Sequence, residues 1–505
     1  MPTGNTRNRA RSNEQAVPSP ANANSATGIS RINHFVVLML ENHSFDHMLG
    51  FLYTDSQNQS PLGQPFEGLN GNEFNIDSSG NQVTVFKIPS NDPYLYYYPK
   101  ADPGEGFINT NAQLFGTTTP ATGAQPTNGG FITNFGETLD YEQNDPSGDW
   151  NILPGTVETT IMGMYTPDQL PVLSALAKGY AVCDQWFASV PTETIPNRAF
   201  ALTATSQGHL DDSVHTYTSQ SIFHLLGNNN CTWAAYGYSE LPLTRQTFTD
   251  ITQAPLSNFG TFGDFQSAVQ SGTLANFVFL EPSWGSNGNS QHPNYDVAAG
   301  EALIAQVYNT LVGSAVWNET LLIITYDEHG GCFDHVPPPS NATPPDNLAG
   351  EYGFDFKRFG LRVPTVLVSP WIEAGTVYRV QPGADGSVTP FDHTSVLKTV
   401  EMRFNLPSLT ERDAAAPDVA GVLTLTTART DNVLATVSPP TNPTPNAIDD
   451  HVTHLQQVHA QLVAREPTPD ERLAIEHYDG YPRFNTGTEA EEFIHTRNQR
   501  LRRPV

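Results

Sequence analysis

Cysteine is scarce in this sequence of 505 residues, which contains only Cys183, Cys231 and Cys332. Their spacing matches neither a metal-ligand motif nor a disulfide framework, and the sequence alone leaves a single bridge open. Positive charge is scarce as well: Lys and Arg number 24 against 52 Asp and Glu, for a formal net charge of -28 at pH 7. Such a chain repels nucleic acid and anionic membrane surfaces. We therefore expect no nucleic-acid partner, and an anionic substrate would need local arginine or a bound metal.

Long apolar runs are also lacking, and we predict no membrane-spanning segment. Residues 1–29 are rich in Asn, Ser, Pro, Ala and Arg, and they contain neither the apolar core of a secretory signal nor a twin-arginine pair. We interpret them as a disordered N-terminal tail. Cytoplasmic localisation is the default expectation, with export by a non-standard route left open. The sequence does not indicate an oligomeric state.

Short apolar runs predict buried strands of a parallel sheet. They lie at residues 32–40, 180–183, 277–280, 321–325 and 363–368. Helical spacing of apolar residues predicts helices at residues 296–317 and 393–404, the second capped by Asp392 or Thr394. This alternation indicates the α/β class. We interpret residues 30–415 as the catalytic domain. Residues 416–505 form a C-terminal extension with an amphipathic helix, marked by Ile448, Val452, Leu455 and Leu462, which we expect to pack on the main domain.

The segment Thr194-Ile195-Pro196-Asn197-Arg198 places a hydroxyl just before a proline that can begin a helix. The N–H groups of a helical first turn and the positive end of its dipole favour an alkoxide or a phosphate oxygen. Arg198 could then bind the same anion through its forked guanidinium group. On its own, the segment is better interpreted as a loop followed by a helix that starts at a proline, and the rest of the sequence changes that balance.

Two acidic clusters follow predicted strands directly. One is Glu41-Asn42-His43-Ser44-Phe45-Asp46-His47 and the other is Asp327-Glu328-His329-Gly330-Gly331. Ligands of open α/β sheets bind at the carboxyl ends of the strands, so we expect both clusters at one edge. The oxygen atoms of Glu41, Asn42, Asp327 and Glu328 suit a divalent cation. A metal beside Thr194 would lower the pKa of its hydroxyl and make it a usable nucleophile.

Three histidines in loops could bind phosphate oxygens or protonate a leaving group: His292, His335 and His393. Their spacing does not assign either role to any one of them.

These segments resemble the phosphoesterase family that contains bacterial and plant non-specific phospholipases C and some bacterial acid phosphatases, within the alkaline-phosphatase-like superfamily. The resemblance also rests on the segments Cys332–Pro339, Val363-Pro364, Ser369-Pro370-Trp371 and Phe391–Lys398, and spans residues 32–409. It implies an alkaline-phosphatase-like three-layer α/β sandwich with a mostly parallel central sheet.

The resemblance also implies roles for individual residues. Thr194 looks like the nucleophile, and the ligands of one divalent metal ion would be Glu41, Asn42, Asp327, Glu328 and Thr194. Asn197, Arg198, His292 and His335 are predicted to bind the substrate, and His393 to bind phosphate or transfer a proton. One departure concerns Glu105, which stands where phospholipase-type members carry a histidine, in Asp102-Pro103-Gly104-Glu105. A glutamic acid with a raised pKa could replace that histidine as a proton donor.

The sequence therefore predicts a metal-dependent phosphoester hydrolase of phospholipase C type, with a phospholipid as the expected substrate and a covalent threonine intermediate. Three alternatives stay open: a phosphomonoesterase similar to acid phosphatases, a sulfatase, and an inactive binding protein on the same scaffold. The sulfatase is the weaker enzyme alternative, because oxidation of threonine cannot give the formylglycine aldehyde that sulfatases make from Cys or Ser.

Overall fold

The computed structural model describes residues 28–144, 152–382, 386–465 and 482–501, so the predicted N-terminal tail lies almost wholly outside the described residues. The strands are β1 His34–Leu40, β2 Phe74–Ile76, β3 Gln82–Thr84, β4 Phe86–Lys87, β5 Gly163–Met164, β6 Ala181–Val182, β7 Trp186–Phe187, β8 Trp233–Gly237, β9 Phe259–Thr261, β10 Phe277–Leu280, β11 Thr320–Tyr326, β12 Thr365–Val368, β13 Thr376–Val377 and β14 Phe391–Asp392.

The α-helices are α1 Phe45–Leu49, α2 Phe107–Phe115, α3 Phe131–Asn144, α4 Pro171–Gly179, α5 Thr194–Thr203, α6 Ile222–Asn228, α7 Thr244–Thr247, α8 Phe262–Ser271, α9 Val297–Leu311, α10 Thr394–Phe404, α11 Glu411–Ala415, α12 His454–Arg465 and α13 Gly487–Leu501. Short 3-10 helices lie at Thr54–Ser56, Leu95–Tyr97, Glu158–Met162, Leu256–Asn258, Trp317–Glu319, Glu351–Gly353 and Ala420–Val422. Among the described residues, no helix combines the length and the apolar character needed to cross a bilayer.

Eight strands form the central sheet, in the order β13-β6-β12-β11-β1-β10-β8-β9. β1 lies in the middle, parallel to β10 on one side and to β11 on the other. β12 is the exception, because it runs antiparallel to both of its neighbours, β11 and β6. The predicted α/β class and mostly parallel sheet are therefore confirmed, with one reversed strand that an apolar run cannot reveal.

The central strands form because their residues are apolar almost without interruption, as expected for a sheet covered on both faces. All seven residues of β11 are buried, and so are six of the seven residues of β1. The register pairs Leu40 at the end of β1 with Tyr326 at the end of β11. The chain segments that follow these two strands therefore leave the sheet at the same level.

The predicted helices are present, with different ends. α5 begins at Thr194, two residues before the proline that was expected to start it. The residue at the N-cap of α10 is His393, which makes no side-chain capping bond, whereas the sequence predicted Asp392 or Thr394. α9 begins after Asp296, whose carboxylate accepts a hydrogen bond from the Ala298 N–H group.

The C-terminal extension packs on the main domain through α12. Leu455, Val458 and Leu462 of this helix belong to the main hydrophobic core, as the predicted amphipathic face requires. Ile448 and Val452 of the predicted stripe precede the helix. The sequence analysis missed α13, which packs against α12 through Ile494.

Candidate active site

Thr194 lies at the beginning of α5, where its side chain is 1% exposed beside the segment that follows β1. Its hydroxyl donates to the side-chain oxygen of Asn42 at 3.1 Å. The next N–H group, of Ile195, donates to a carboxylate oxygen of Asp212 at 2.6 Å. The first-turn N–H groups of a helix lack intrahelical acceptors, and here Asp212 accepts from one of them beside the Thr194 hydroxyl.

Glu41 and Asn42 follow β1 and are both buried. The Glu41 N–H donates to the Ser290 carbonyl at 2.9 Å, which anchors the strand end to a neighbouring loop. Asn42 has a φ of 59°, in the left-handed region that asparagine tolerates better than most residues. Its N–H donates to an oxygen of Asp327 at 3.0 Å, and its side-chain amide donates to Glu105. Asn42 thus contacts three other candidate residues: Thr194, Glu105 and Asp327.

Asp327 and Glu328 follow β11 and are fully buried. One Asp327 oxygen accepts hydrogen bonds from the N–H groups of Asn42 and Glu328. Glu328 Oε2 accepts a 2.7 Å hydrogen bond from the Gly330 N–H, whereas its Oε1 has no hydrogen-bond partner. Gly330 has a φ of +60°, and a Cβ there would meet the Asn42 carbonyl oxygen at 2.0 Å. Glycine is therefore required where the two segments cross.

The buried carboxylates of the site carry an excess of negative charge. Burial raises the pKa of Glu41 to about 7. Burial and the charge of Asp327 raise the pKa of Glu328 well above its usual range, and burial and Glu328 do the same to Glu105. Buried carboxylates stay ionised only with a nearby cation. The unpartnered Glu328 Oε1 and the oxygen donors of Glu41, Asn42, Thr194, Asp327 and Glu328 are of the chemical type that a hard divalent cation prefers.

Arg198 contacts the metal-ligand candidates rather than the space expected for substrate. Its Nε donates to Asp327 at 2.9 Å, and one terminal nitrogen donates to the carbonyls of Met39 and Leu40. The other terminal nitrogen, NH1, is buried without a partner. The guanidinium lies 4.6 Å from the ring centre of Trp284. Arg198 thus orients Asp327, and only NH1 is left to approach an anion.

Asn197 and His393 also hold backbone in place. The Asn197 amide donates to the carbonyls of Val190, Thr192 and Glu193, in the turn that leads into α5. His393 Nε2 lies 2.6 Å from the Asp327 carbonyl oxygen, and both residues are fully buried. Neither Asn197 nor His393 lines the cavity at the site. In this structure both side chains hold backbone groups of the site, and their expected substrate-binding and proton-transfer roles stay predictions.

His335 lies apart from the other candidates. Its Nδ1 is 2.6 Å from one carboxylate oxygen of Asp46, and the other oxygen of that carboxylate is bound by Arg362. Although burial lowers it, the Asp46 charge raises the pKa of His335 to about 10. His335 does not line the cavity, so the structure does not bring it to the predicted substrate.

His292 lies in the cavity between two acidic side chains. Its Nδ1 is 3.9 Å from Asp102 and its Nε2 is 3.7 Å from Glu105. Burial lowers its pKa, but the charges of Asp102, Glu105 and Glu41 outweigh burial and raise it to about 9. His292 is therefore protonated at neutral pH and close to Glu105, the residue that departs from the family pattern.

A cavity of about 780 Å³ opens onto Thr194 and Glu41. Seven acidic residues line it: Glu41, Asp102, Glu105, Glu137, Glu142, Glu193 and Asp212. Four aromatic residues do so too: Tyr141, Trp284, Tyr295 and Phe484. The lining, taken over the described residues, includes neither lysine nor arginine. The C-terminal extension supplies residues 451–455, Gln457 and Phe484.

Sequence reasoning missed several of these residues. Asp212 binds the first turn of α5, but it sits in a polar loop with no motif around it. Asp102 was noted only as part of the segment around Glu105. The sequence of the extension did not predict that it lines the cavity, because the one pattern recognised in it was the apolar face of α12.

Comparisons with known proteins place the site in a family. The model of the phosphoesterase family matches residues 32–407. Non-specific phospholipase C6 of Arabidopsis thaliana is 35% identical over 418 residues, which are 80% of this chain and 74% of the relative. Non-specific phospholipase C3 of the same plant is 33% identical over 426 residues, 80% of this chain and 75% of the relative. Phospholipase C B of Mycobacterium tuberculosis is 28% identical over 440 residues, 77% of each chain.

Among solved structures, a protein in the alkaline phosphatase superfamily from Vibrio parahaemolyticus matches with 13% identity and a TM-score of 0.29. The match covers 51% of this chain and 66% of that one, which is too weak to carry an argument about the site. The family match and the phospholipase C relatives, in contrast, cover most of the chain. This chain therefore belongs to the phosphoesterase family and is a hydrolase that acts on ester bonds.

Proposed function

We propose that this chain is a metal-dependent phosphodiesterase of phospholipase C type, in which Thr194 attacks phosphorus and forms a covalent intermediate. The observation that carries the proposal is the position of the Thr194 hydroxyl. It lies at a helix N-terminus, bonded to Asn42, and lines a deep cavity beside buried carboxylates. The relatives named as phospholipases C support the reaction class.

The metal would be held by Glu41, Asn42, Thr194, Asp327 and Glu328, and it would supply charge for the Thr194 alkoxide and for phosphate oxygens. Three hydrogen bonds from neighbouring residues orient these ligands. Arg198 orients Asp327, His393 holds the Asp327 carbonyl, and Glu105 accepts from the Asn42 amide. One nitrogen of Arg198 is buried without a partner, but Arg198 does not line the cavity, so its role in this proposal is to hold Asp327.

His292 is the best-placed proton donor for the leaving group. It is buried, lines the cavity and is protonated at neutral pH, because Asp102 and Glu105 raise its pKa to about 9. In the first step the Thr194 oxygen, whose proton has been lost to solvent, forms a bond to phosphorus, the bond to the alcohol oxygen breaks, and His292 gives that oxygen a proton. In the second step neutral His292 takes a proton from water, the water oxygen forms a bond to phosphorus, and the bond to the Thr194 oxygen breaks. This step releases the phosphorylated head group and restores the Thr194 alkoxide and protonated His292.

The charge of the cavity indicates the head group. Seven acidic side chains and four aromatic rings line it, without lysine or arginine in the described lining, and burial raises the pKa of several of the seven, including Glu105 and Asp212. An anionic head group would be repelled, whereas a quaternary ammonium group binds aromatic faces and carboxylates well. We therefore expect zwitterionic phospholipids of the phosphocholine kind as substrates.

A paired assay tests the proposal on the metal-loaded full chain, with p-nitrophenylphosphorylcholine and p-nitrophenyl phosphate as substrates. Thr194→Val keeps the shape of the side chain and removes the hydroxyl, so we expect diester turnover to fall by at least about 10³-fold. Thr194→Ser is the matched control and should keep a large part of the activity. Acid quenching followed by peptide mass spectrometry should detect phosphocholine on the Thr194 peptide.

Other outcomes of this assay would contradict the proposed function or mechanism. Turnover of the monoester alone would identify a phosphomonoesterase similar to acid phosphatases. Full turnover in Thr194→Val would exclude the covalent threonine mechanism. Silence on both substrates, with every divalent metal tried, would favour a binding protein.

A further inference from the structure

A second group of ligand-type side chains lies beside the active site and consists of His43, His47 and Cys332. We call it the His-His-Cys cluster. All three residues are fully buried, with exposures of 0%, 1% and 1%. His43 directly follows Asn42, and Cys332 lies four residues after Glu328. The two segments that carry the oxygen ligands of the active site therefore also meet in this cluster.

The distances within the cluster are those of a metal site. The Nδ1 atoms of His43 and His47 are 2.9 Å apart, and the Cys332 sulfur is 3.6 Å from the His43 Nδ1. Each of the three residues offers a ligand atom within 4.8 Å of those of the others. A tetrahedral zinc ion with Zn–N of about 2.05 Å and Zn–S of about 2.3 Å separates two nitrogens by about 3.3 Å and nitrogen from sulfur by about 3.6 Å. A shift of a few tenths of an ångström would complete this geometry.

The imidazole nitrogens and the thiol of the cluster have few hydrogen-bond partners within the protein. One Nδ1 can donate to the other, but the 3.6 Å contact of the thiol is weak at best. The Nε2 atoms of His43 and His47 are buried without hydrogen-bond partners. Aromatic rings of Tyr326 and Tyr165 border the two imidazoles. The two facing Nδ1 atoms and the sulfur have only one another as partners, and an ion bound between them would satisfy all three.

We propose that the His-His-Cys cluster binds one thiophilic metal ion of the zinc type, separate from the oxygen-rich ion of the active site. A donor set of two nitrogens and one sulfur selects such ions and disfavours magnesium and calcium. On binding, the Cys332 sulfur loses its proton to solvent and forms the bond to the metal, while both imidazoles bind as neutral ligands. The ion would fasten the segment after β1 to the segment after β11.

Cobalt is a suitable probe, because cobalt–thiolate bonds absorb in the near ultraviolet and cobalt bound only by oxygen and nitrogen does not. The full chain should be produced in cobalt-supplemented medium, since the cluster is buried and the ion must enter as the chain folds. We expect the thiolate band in the wild-type protein. Cys183→Ser and Cys231→Ser are matched controls that should keep it, whereas Cys332→Ser should lose it entirely and His47→Gln should weaken it.

A second measurement covers the case in which Cys332→Ser does not fold. The double variant Cys183→Ser/Cys231→Ser keeps Cys332 as its single cysteine. Grown with zinc, it should show one sulfur neighbour at about 2.3 Å in zinc-edge X-ray absorption. The proposal would be overturned if the zinc ion had only oxygen and nitrogen ligands. It would also be overturned if the wild-type protein grown with cobalt lacked the thiolate band. Neither readout depends on catalysis, so the result is independent of the proposed phospholipase activity.

Discussion

The active site and a neighbouring ionic cluster use the same two chain segments for opposite purposes. Glu41 and Asn42 belong to the candidate active site, and Asp46 in the same segment pairs with Arg362 at 2.8 Å. Likewise, Asp327 and Glu328 belong to the candidate active site, while Asp334 further along pairs with Arg362 at 2.9 Å. We call the group Asp46, Asp334, His335 and Arg362 the Arg362 cluster.

The two groups differ in their balance of charge. In the Arg362 cluster, Arg362 pairs with both Asp46 and Asp334, and His335 pairs with Asp46, so each of these charges has a partner of opposite sign. In the active site, the carboxylates outnumber Arg198, and one Glu328 oxygen has no partner. A compensated buried cluster serves the fold, whereas an uncompensated one is prepared for a cation. This difference predicts opposite responses to mutation.

The largest effect is expected from neutralising one carboxylate in each group. Glu328→Gln should lower kcat/KM on the order of 10³-fold, because a charged ligand of the cation is lost. In chelator, the same variant should raise the free energy of unfolding by about 1 kcal/mol, because it removes an uncompensated buried charge. Asp46→Asn should lower that free energy by about 3–5 kcal/mol, since it breaks a buried pair in which Arg362 and His335 hold the pKa of Asp46 below its usual range despite its burial. Urea unfolding and kinetics measure both, and equal destabilisation by the two variants would refute the distinction.

The next effect concerns the pH dependence of stability in the metal-free protein. The folded-state pKa of Glu41 is raised from 4.5 to about 7, so its ionisation opposes folding. Stability should therefore fall as pH rises from about 4.5 through 7, by on the order of 3 kcal/mol for this group. Burial raises the pKa of Asp46, but Arg362 and His335 outweigh burial and lower it, so Asp46 adds stability above its unfolded pKa that is lost on acidification.

Glu41→Gln should flatten this decline in chelator-treated protein, measured by urea unfolding across the pH range. Saturating divalent metal should also abolish it, since a bound cation stabilises the ionised carboxylates. A decline that persists unchanged in Glu41→Gln would assign the effect to other groups.

Two protonated histidines allow a similar comparison. His292→Gln should lower kcat by about 10²-fold, because it removes the proton donor, and should abolish the loss of activity as pH rises through about 9. His335→Gln should instead lower the free energy of unfolding by about 1.5–3 kcal/mol through its bond to Asp46, with a smaller effect on kcat. pH–rate profiles and urea unfolding separate the two roles, and an unchanged profile in His292→Gln would remove it from the mechanism.

The smallest expected effect tests whether acidic residues of the cavity that are not metal-ligand candidates bind the head group. Glu137→Gln should raise KM for p-nitrophenylphosphorylcholine by up to about fivefold, the size expected of an exposed charge pair. It should leave KM for p-nitrophenyl phosphate unchanged. Asp140→Asn lies on the same helix outside the cavity lining and is the matched control. Equal KM changes for both substrates would contradict a head-group role.

The sequence placed the metal-ligand candidates better than the substrate-binding candidates. Glu41 with Asn42 and Asp327 with Glu328 directly follow neighbouring parallel strands, so backbone geometry alone brings them together. The orientation of Arg198 could not be predicted, because it depends on Asp327 and on two carbonyls from β1. His335 could not be separated from the active site, because its partner Asp46 lies in the same motif as Glu41 and Asn42.

The sequence by itself determined the fold class, the family and the edge of the sheet where the chemistry lies, because apolar runs and strand-end motifs are local signals. Only the tertiary structure decided which charged groups are compensated. It showed that His292 lies between Asp102 and Glu105, and that the C-terminal extension lines the cavity. These features arise from contacts between residues far apart in the chain, and the energy of a buried charge depends on every group packed around it.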